Sequence, residues 1–337
     1  MFAKTFVRIK MIASVMGCCL ALTAPAVAEV LHTTDGTAPI IFTAMTHTDG
    51  TTYTANSRSF LSAVEQARWA MSLYDEYGLK MNLEASKDFA TANTTWSVNI
   101  LAETVANRHG VGTHANGIGG SQARESTLSY ARKITENKRA VDALVGTANN
   151  VSISGICGRS DWVAAAARAR FKTIDAITGM CYLSMPEEAR PDGWTDDAIL
   201  STYYHDAAPV DFAERISPFR LKDSQDFTPD ADGVITISNG ELGELASLAE
   251  GRVSCGTSCE LGEDDFQVVY DAIDLIVATR DPGQVARINI HIPMRHFDAA
   301  NESLLRSFMA ALKAYADDGA IAFGTQKDVV DTYEQWR

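Results

Sequence analysis

Basic residues are scarce in this chain. Its 337 residues include 29 Lys and Arg against 43 Asp and Glu, which gives a net charge of −14. An acidic surface repels phosphate backbones and anionic lipid head groups, so we expect neither a nucleic acid nor a membrane as partner. A neutral or cationic substrate fits this charge better.

Long apolar runs are also missing, except near the N-terminus. The run from Met11 to Leu22 is shorter than the roughly 20 residues that cross a bilayer core. It follows three basic residues and precedes Ala26-Val27-Ala28, the layout of a cleaved secretory signal peptide. We therefore predict a signal peptide at 1–28 and a single mature domain at 29–337, periplasmic or secreted. The basic residues are Lys4, Arg8 and Lys10.

The predicted cleavage makes the protein more acidic. It removes three basic residues and no acidic one, which leaves 26 basic against 43 acidic residues and a net charge of −17. A lipoprotein is the alternative, because Val15-Met16-Gly17-Cys18 resembles a lipobox. The apolar run continues past Cys18, however, to a better cleavage site.

Cysteine is sparse once the signal peptide is removed. Four of the six cysteines remain, an even number that predicts two disulfides in an oxidising compartment. Of the three possible pairings we favour Cys157 with Cys181 and Cys255 with Cys259, since the second pair closes a short Gly-containing loop. The alternative, a zinc site, lacks a second close pair of cysteines.

No Gly-rich phosphate loop follows the first predicted strand, which argues against a nucleotide-binding fold. Apolar runs typical of strands instead alternate with segments of helical period along most of the chain. This alternation predicts an α/β fold, namely a distorted (β/α) barrel of TIM-like type with about seven strands. An open doubly wound sheet is the alternative. The alternation fails at 186–264, which we interpret as an irregular insertion over one barrel face.

Polar residues follow the predicted strands at places where a β/α barrel carries its active site. His47 and Asp49 follow the first strand, His114 ends the third, and His291 lies in a late strand. Singly, each is most often a hydrogen-bonding or turn residue. Together at one rim, they predict a metal site with an additional acid or base.

Three motifs resemble those of the polysaccharide deacetylase superfamily, the NodB-homology type of metal-dependent hydrolases. Thr46-His47-Thr48-Asp49-Gly50 is similar to the family's first motif, Thr-Phe-Asp-Asp-Gly. The segment His109–His114 is similar to the second motif, His-Glu-Ile-Gly-x-His, and Ile290-His291 is similar to the last, Leu-x-His. The resemblance implies a distorted β/α barrel that removes acetyl groups from a carbohydrate substrate with a divalent metal. It also implies that Asp49 and His114 bind the metal and that His291 is the general acid.

The chain departs from the family pattern at two motif positions. Thr48 stands where the family has its catalytic base, and Ile118 where it has a second metal-binding histidine. His47 is our candidate for the missing ligand, so the expected metal ligands are His47, Asp49 and His114. Three ligands with an open position are typical of catalytic zinc, and we expect Zn²⁺.

A few further residues are candidates near the region where the family's third motif is expected. Asp161 is either a substitute catalytic base or the N-cap of the helix that follows, and we favour the cap. Trp162 is either a sugar-stacking wall or part of the core, and core is the default. His205 and His296 are additional histidines of the rim.

These residues leave three functions open. The leading hypothesis is a metal-dependent deacetylase acting on an acetylated amino sugar or polysaccharide. The second is a catalytically silent barrel that binds glycans, because Thr48 replaces the base. The third is a glycoside hydrolase, although no two acids are placed by motif to flank a glycosidic bond.

Overall fold

The computed structural model describes residues 30–31, 33, 35–50, 52–115, 118, 123–204, 215–251 and 259–337. The predicted signal peptide at 1–28 lies outside the described residues. Within the described part of the chain, none of the helices combines the length and the apolar character needed to cross a membrane.

In the described part of the chain, ten strands form one sheet, in the order β6-β7-β5-β4-β3-β2-β1-β9-β8, with β10 added beside β1. All neighbours along this order are parallel except β6 and β7. The strands are β1 Ile40–Thr48, β2 Met81–Ala85, β3 Gly110–His114, β4 Asn150–Ser154, β5 Thr173–Asp175, β6 Phe219–Leu221, β7 Ile235–Ser238, β8 Glu241–Glu244, β9 Ala286–His291 and β10 Ala322–Phe323.

The sheet curls into a distorted barrel. Strands β7 and β8 lie near its opposite ends, yet only Asn239 and Gly240 separate them along the chain, so the two ends must lie close together. Gly240 has φ +97°, and a Cβ there would lie 2.0 Å from the carbonyl oxygen of Arg287. Glycine is required at this point because the backbone at Gly240 contacts the backbone of β9 and leaves no room for a side chain. The predicted α/β class and distorted barrel are confirmed.

The stretch 186–264, which we expected to be an irregular insertion, contributes three strands to the sheet. β7 pairs in parallel with β5, and β8 pairs in parallel with β9. These strands have only four residues each and carry polar side chains on one face. Such short strands lack the continuous apolar run that usually identifies a parallel strand.

Nine helices accompany the strands in the described residues. They are α1 Ser57–Tyr77, α2 Lys87–Thr95, α3 Ile100–Ala106, α4 Thr127–Val145, α5 Trp162–Arg168, α6 Asp196–Ser201, α7 Glu263–Thr279, α8 Glu302–Asp317 and α9 Gln326–Trp336.

Helix α1 follows directly from its sequence. The side chain of Asn56 accepts a hydrogen bond from the backbone N–H of Ser59, and Gly78 ends the helix in the left-handed conformation; both residue types are common at these helix ends. Its apolar face, including Phe60, Val64 and Met71, is buried against the sheet.

Two short helices, α2 and α3, follow β2. Ser86 and Asn99 cap the N-termini of α2 and α3, and Ser97 between them has φ +56°. Because each cap starts a new helix, the chain turns here, and apolar periodicity alone does not reveal the turn.

The strands bury apolar side chains on their outer face and polar side chains inside the barrel. On β1, Phe42 and Ala44 belong to the apolar core, whereas the hydroxyl of Thr43 lies inside the barrel and donates a hydrogen bond to Asn289 of the neighbouring strand β9. Arg287, which is fully buried, forms an ion pair with Asp175 at 2.7 Å. A β/α barrel is usually filled with branched apolar residues, so this interior is unusually polar.

Glu241 belongs to the same interior. It lies opposite Asn289, whose side-chain amide donates a hydrogen bond to its carboxyl group. Burial, followed by the nearby charge of Asp175, raises its pKa to about 8, although Arg287 acts in the opposite direction. At neutral pH the folded protein therefore favours the protonated form of Glu241.

We predict that Glu241 makes the protein less stable as the pH rises. A carboxyl group whose pKa is higher in the folded state stabilises the fold fully below its ordinary pKa of 4.5. That contribution is lost as the pH rises through about 8, by up to about 1.4 kcal/mol per pH unit. Glu241→Gln mimics the protonated form, so its free energy of unfolding relative to wild type should increase from pH 5 to pH 8.

Urea unfolding at several pH values measures this difference. The exposed Glu188, changed to Gln, controls for the loss of one negative charge. If both variants differ from wild type by an amount that does not change with pH, the raised pKa of Glu241 is wrong.

Candidate metal centre

Strand register brings a ring of polar side chains to the carboxyl ends of the strands. His47 of β1 lies beside Glu84 of β2, and His114 of β3 lies beside Ser154 of β4. His291 of β9 lies next to Met45 on one side and Glu244 on the other. Neighbours in parallel register point to the same face, so these side chains meet at the mouth of the barrel.

Three members of this ring form a group that could hold a metal ion. The ligand atoms of His47, Glu84 and His114 all lie within 4.8 Å of one another. His47 Nε2 is 3.5 Å from Glu84 Oε2. Two ligand atoms on a tetrahedral zinc ion are about 3.4 Å apart, so this pair is already at the separation that a shared ion requires.

Glu84 is the charged group at the centre of the cluster. Its side chain is fully buried, and Oε1 has no hydrogen-bond partner among the described residues. Burial raises its pKa to about 7, while the hydrogen bond from Ser154 and the charges of His114 and Arg287 act against the rise. A buried carboxylate with an unpaired oxygen is costly, and a bound cation would relieve that cost.

The ring of His47 packs between those of His114 and His291. The ring of His47 lies 4.1 Å from that of His114 and 4.4 Å from that of His291, measured between centroids. Burial lowers the pKa of all three below the ordinary 6.5, although the charge of Asp49 opposes the shift for each. They are therefore neutral at pH 7, which is the form that ligates metals.

His114 is held at both ring nitrogens. Its Nε2 lies 2.9 Å from Asp49 Oδ1, and its Nδ1 lies 2.8 Å from the hydroxyl of Ser154. The side chain of Asp49 is 57% exposed, so it lies at the outer edge of the cluster. A carboxylate that binds the second nitrogen of a histidine commonly orients metal-binding histidines.

The backbone at Gly155 makes room for the His114 ring. Gly155 has φ +69°, and a Cβ at this position would lie 2.7 Å from His114 Cε1. The glycine therefore satisfies both the left-handed backbone and the close approach of the imidazole.

The predicted site residues His47, Asp49, His114 and His291 thus lie together. Asp49 contacts His114 but is not a member of the group of three, in which Glu84 supplies the carboxylate. Thr48 is buried, and its hydroxyl bonds to the backbone of β2 and the residue after it rather than lying in the cluster.

The remaining candidates have structural contacts. Asp161 caps α5 by accepting a hydrogen bond from the N–H of Ala164 at 3.0 Å. Trp162 is fully buried and donates to the hydroxyl of Ser184, which agrees with its expected place in the core. His296 is buried in the turn after β9, and Ile118 packs beside the apolar core. His205 lies outside the described residues.

The sequence motifs do not include Glu84, Ser154 or the ion pair of Glu244 with Arg295. Glu84 lies in Met81-Asn82-Leu83-Glu84-Ala85, where polar residues alternate with apolar ones. That alternation is a signal that Asn82 and Glu84 face inward, and it could have identified Glu84. Arg295 follows β9 and pairs with the buried Glu244 beside His291.

A disulfide joins two loops on the same side of the barrel as the cluster. Cys157, which follows β4, is bonded to Cys181, which follows β5, so the first predicted pairing is confirmed. Cys259 is also disulfide-bonded, and its predicted partner Cys255 lies outside the described residues.

Solved structures share this fold at low sequence identity. A protein from Mycobacterium smegmatis assigned as a polysaccharide deacetylase has a TM-score of 0.53 and 11% identity, covering 91% of this chain and 96% of its own. One from Pseudomonas aeruginosa PAO1, also assigned as a polysaccharide deacetylase, has a TM-score of 0.55 and 14% identity, with coverage of 88% and 92%. PuuE allantoinase has a TM-score of 0.57 and 12% identity, with coverage of 88% and 91%.

No family model matches the sequence, and no curated protein matches it. The structural matches therefore establish the fold, which is the one that the sequence motifs predicted. Proteins of this fold include enzymes named for different substrates, so the function has to be argued from the site.

We predict that Gly155→Ala disturbs His114 as well as the backbone. Gly78→Ala is the matched control, because Gly78 has φ +73° and an added Cβ there would meet nothing within 4 Å beyond its chain neighbours. Both variants should lose about 1 kcal/mol of stability from backbone strain. Only Gly155→Ala should also weaken binding of Zn²⁺, measured by competition with a chelator. Equal zinc affinity in the two folded variants would contradict this account.

Proposed function

We propose that this protein is a metal-dependent hydrolase that removes acetyl groups from an amino sugar or polysaccharide outside the cytoplasm. The observation that carries the proposal is the cluster of His47, Glu84 and His114 at the mouth of a deacetylase-type barrel. The motifs of the sequence resemble those of the same superfamily.

The donor set of the cluster fits a divalent ion. Two imidazoles and one carboxylate are the ligands of several catalytic zinc sites, and the unpaired oxygen of Glu84 is available to such an ion. We therefore propose Zn²⁺, held by His47, Glu84 and His114, with Asp49 orienting His114. Zinc in such a site polarises a carbonyl group and acidifies water.

His291 is placed to move the proton. It stacks on His47, and its Nε2 is buried without a hydrogen-bond partner among the described residues. Because burial lowers its pKa well below 6.5, the ring is neutral at pH 7 and can accept a proton from the attacking water. The protonated ring is then a strong acid that delivers the proton to the leaving amine or alcohol. One residue thus serves as both base and acid, which accounts for Thr48 in place of the family's base.

Charge and the disulfide support the rest of the proposal. The acidic chain suits a neutral or cationic carbohydrate. The disulfide Cys157–Cys181 is typical of an oxidising compartment, in agreement with export by a signal peptide at 1–28.

A catalytically silent barrel that binds glycans is the second candidate. The contacts of Thr48 favour it, since the hydroxyl at the base position is occupied by backbone groups at the end of β2. A glycoside hydrolase is less well supported. It needs two accessible carboxyl groups. Of the two carboxyl groups at the site, Asp49 is exposed but Glu84 is fully buried.

We predict zinc-dependent release of acetate from acetylated amino-sugar oligomers. The mature protein is stripped with EDTA, reloaded with Zn²⁺ and assayed for acetate. Glu84→Gln should lower zinc affinity and turnover by at least about 100-fold, because it removes a charged ligand. Glu241→Gln, a second buried glutamate deeper in the barrel, is the matched control and should retain both.

A wild type that binds oligosaccharide without releasing acetate would favour the silent barrel. Unchanged zinc affinity in Glu84→Gln would refute the assignment of the ligands.

We also predict that His291→Ala keeps zinc and the fold but loses about 100-fold or more in turnover on acetamido sugars. The loss should be smaller on aryl acetates, because their leaving groups need no proton. Turnover on both substrate types, normalised to zinc content, tests this. Equal losses on both types would remove the acid role of His291, and lower thermal stability with unchanged turnover would remove His291 from the mechanism.

A further inference from the structure

Met45 is a buried methionine that lies outside the apolar core. Its side chain is 5% exposed, yet it belongs to none of the apolar clusters of the described residues. A buried methionine usually fills a gap between apolar side chains. The other buried methionines of the described residues do so, namely Met71, Met81, Met180, Met185 and Met309. The position of Met45 therefore needs another explanation.

Strand register places Met45 among the polar residues of the barrel interior. Side chains alternate along a strand, so on β1 Met45 faces the same side as Thr43 and His47. Its register neighbours are His291 on β9 and Asn82 on β2. The thioether thus lies at the candidate metal centre, with polar side chains on both sides.

The sulfur of Met45 contacts a nitrogen of the cluster. Met45 Sδ lies 3.2 Å from His47 Nε2, and Glu84 Oε2 lies 3.5 Å from the same nitrogen. A thioether is a weak hydrogen-bond acceptor, so a hydrogen bond from Nε2 is a poor reason for this arrangement. When the proton of the neutral ring is on Nδ1 instead, Nε2 offers a lone pair. Nitrogen, sulfur and carboxylate oxygen then form one set of electron donors.

The separation of the sulfur and the nitrogen suits two donors of one ion. With bonds of about 2.3 Å to sulfur and 2.0 Å to nitrogen, two donors on a tetrahedral ion are about 3.5 Å apart. The measured 3.2 Å is close to this value. Thioether sulfur is a soft donor that favours Cu⁺, whereas zinc takes imidazole, carboxylate and thiolate donors. Met45 therefore adds to the centre a donor that suits copper and not zinc.

We propose that Met45 is a metal ligand and that the centre binds Cu⁺ through the Met45 thioether together with His47 Nε2. The inference rests on the proposed function in that the cluster of His47, Glu84 and His114 is a cation site. Cu⁺ and Zn²⁺ compete for this site, because both ions use His47.

Cu⁺ binding by the metal-free mature protein tests the proposal. The protein is titrated with Cu⁺, kept reduced by ascorbate, in competition with a chelator that changes colour on binding Cu⁺. Met45→Leu removes the sulfur and keeps a similar volume. Cu⁺ should bind this variant at least about 10-fold more weakly, as is usual when a partner in a metal site is lost. Zn²⁺ affinity should stay within about three-fold of wild type, because zinc does not use the thioether.

Met81→Leu is the matched control. Met81 is also a fully buried methionine of a strand, but it belongs to the apolar core. This variant should keep the wild-type affinity for both ions. Equal Cu⁺ affinity in the two variants, both folded by circular dichroism, overturns the role of Met45.

X-ray absorption of the copper-loaded protein supplies a second readout. The spectrum should show sulfur among the atoms bound to copper in wild type and in Met81→Leu, and no sulfur in Met45→Leu. Wild type without a copper–sulfur bond overturns the proposal, and this measurement decides the question even where Met45→Leu does not fold.

The outcomes separate the copper site from the proposed function. Release of acetate by the zinc-loaded wild type, together with Cu⁺ binding that does not depend on Met45, refutes the copper site and keeps the hydrolase. Cu⁺ binding that depends on Met45, in a wild type that neither binds Zn²⁺ nor releases acetate, refutes the hydrolase and supports the copper site.

Discussion

The buried ion pair of Arg287 and Asp175 ties together the two ends of the curled sheet. Arg287 of β9 also donates hydrogen bonds to the carbonyl oxygens of Ser238 and Asn239, where β7 passes into β8, and to the hydroxyl of Thr43 on β1. Breaking a buried pair by removing one partner typically costs about 3–5 kcal/mol. Because the guanidinium joins β9, β1, β5 and the closing turn, the curvature of the barrel depends on it.

That curvature sets the geometry of the candidate site. His47, Glu84, His114, Ser154 and His291 come from five strands, and each side chain faces inward at a carboxyl end. In a flat sheet they would form a row, with β4 and β9 far apart. In the curled sheet Ser154 of β4 reaches Glu84 of β2 and lies 3.4 Å from His47 of β1, three strands away in the sheet order. The closure of the sheet thus brings together the side chains of the cluster and those of the polar interior below it.

The polar interior also has an electrostatic consequence. Asp175, Glu84 and Glu241 lie in one water-poor space, and burial raises the pKa of each. Arg287 offsets only part of this negative charge. A cation at the mouth of the barrel would offset more of it, which links the stability of the interior to occupancy of the site. Where a β/α barrel usually has branched apolar side chains, this barrel has ionisable side chains whose pKa values depend on nearby charges.

Local sequence patterns were sufficient to predict the class of fold and most of the ring of histidines. Strand and helix alternation depends on local periodicity, and residues after parallel strands share one end of the sheet, so His47, His114 and His291 could be placed together without coordinates. The sequence also indicated Asp49, the cap at Asp161 and the pairing of Cys157 with Cys181.

The identity of the carboxylate among the histidines depends on contacts between strands, which local patterns do not contain. Glu84 and Asp49 are both acidic residues at strand ends, and the difference between them is burial and register, which depend on contacts between β1, β2 and β4 far apart in the chain. The parallel pairing of β7 and β8 with the rest of the sheet was not predicted, for the same reason. Four residues with polar inward side chains form a strand only because an existing sheet edge pairs with them.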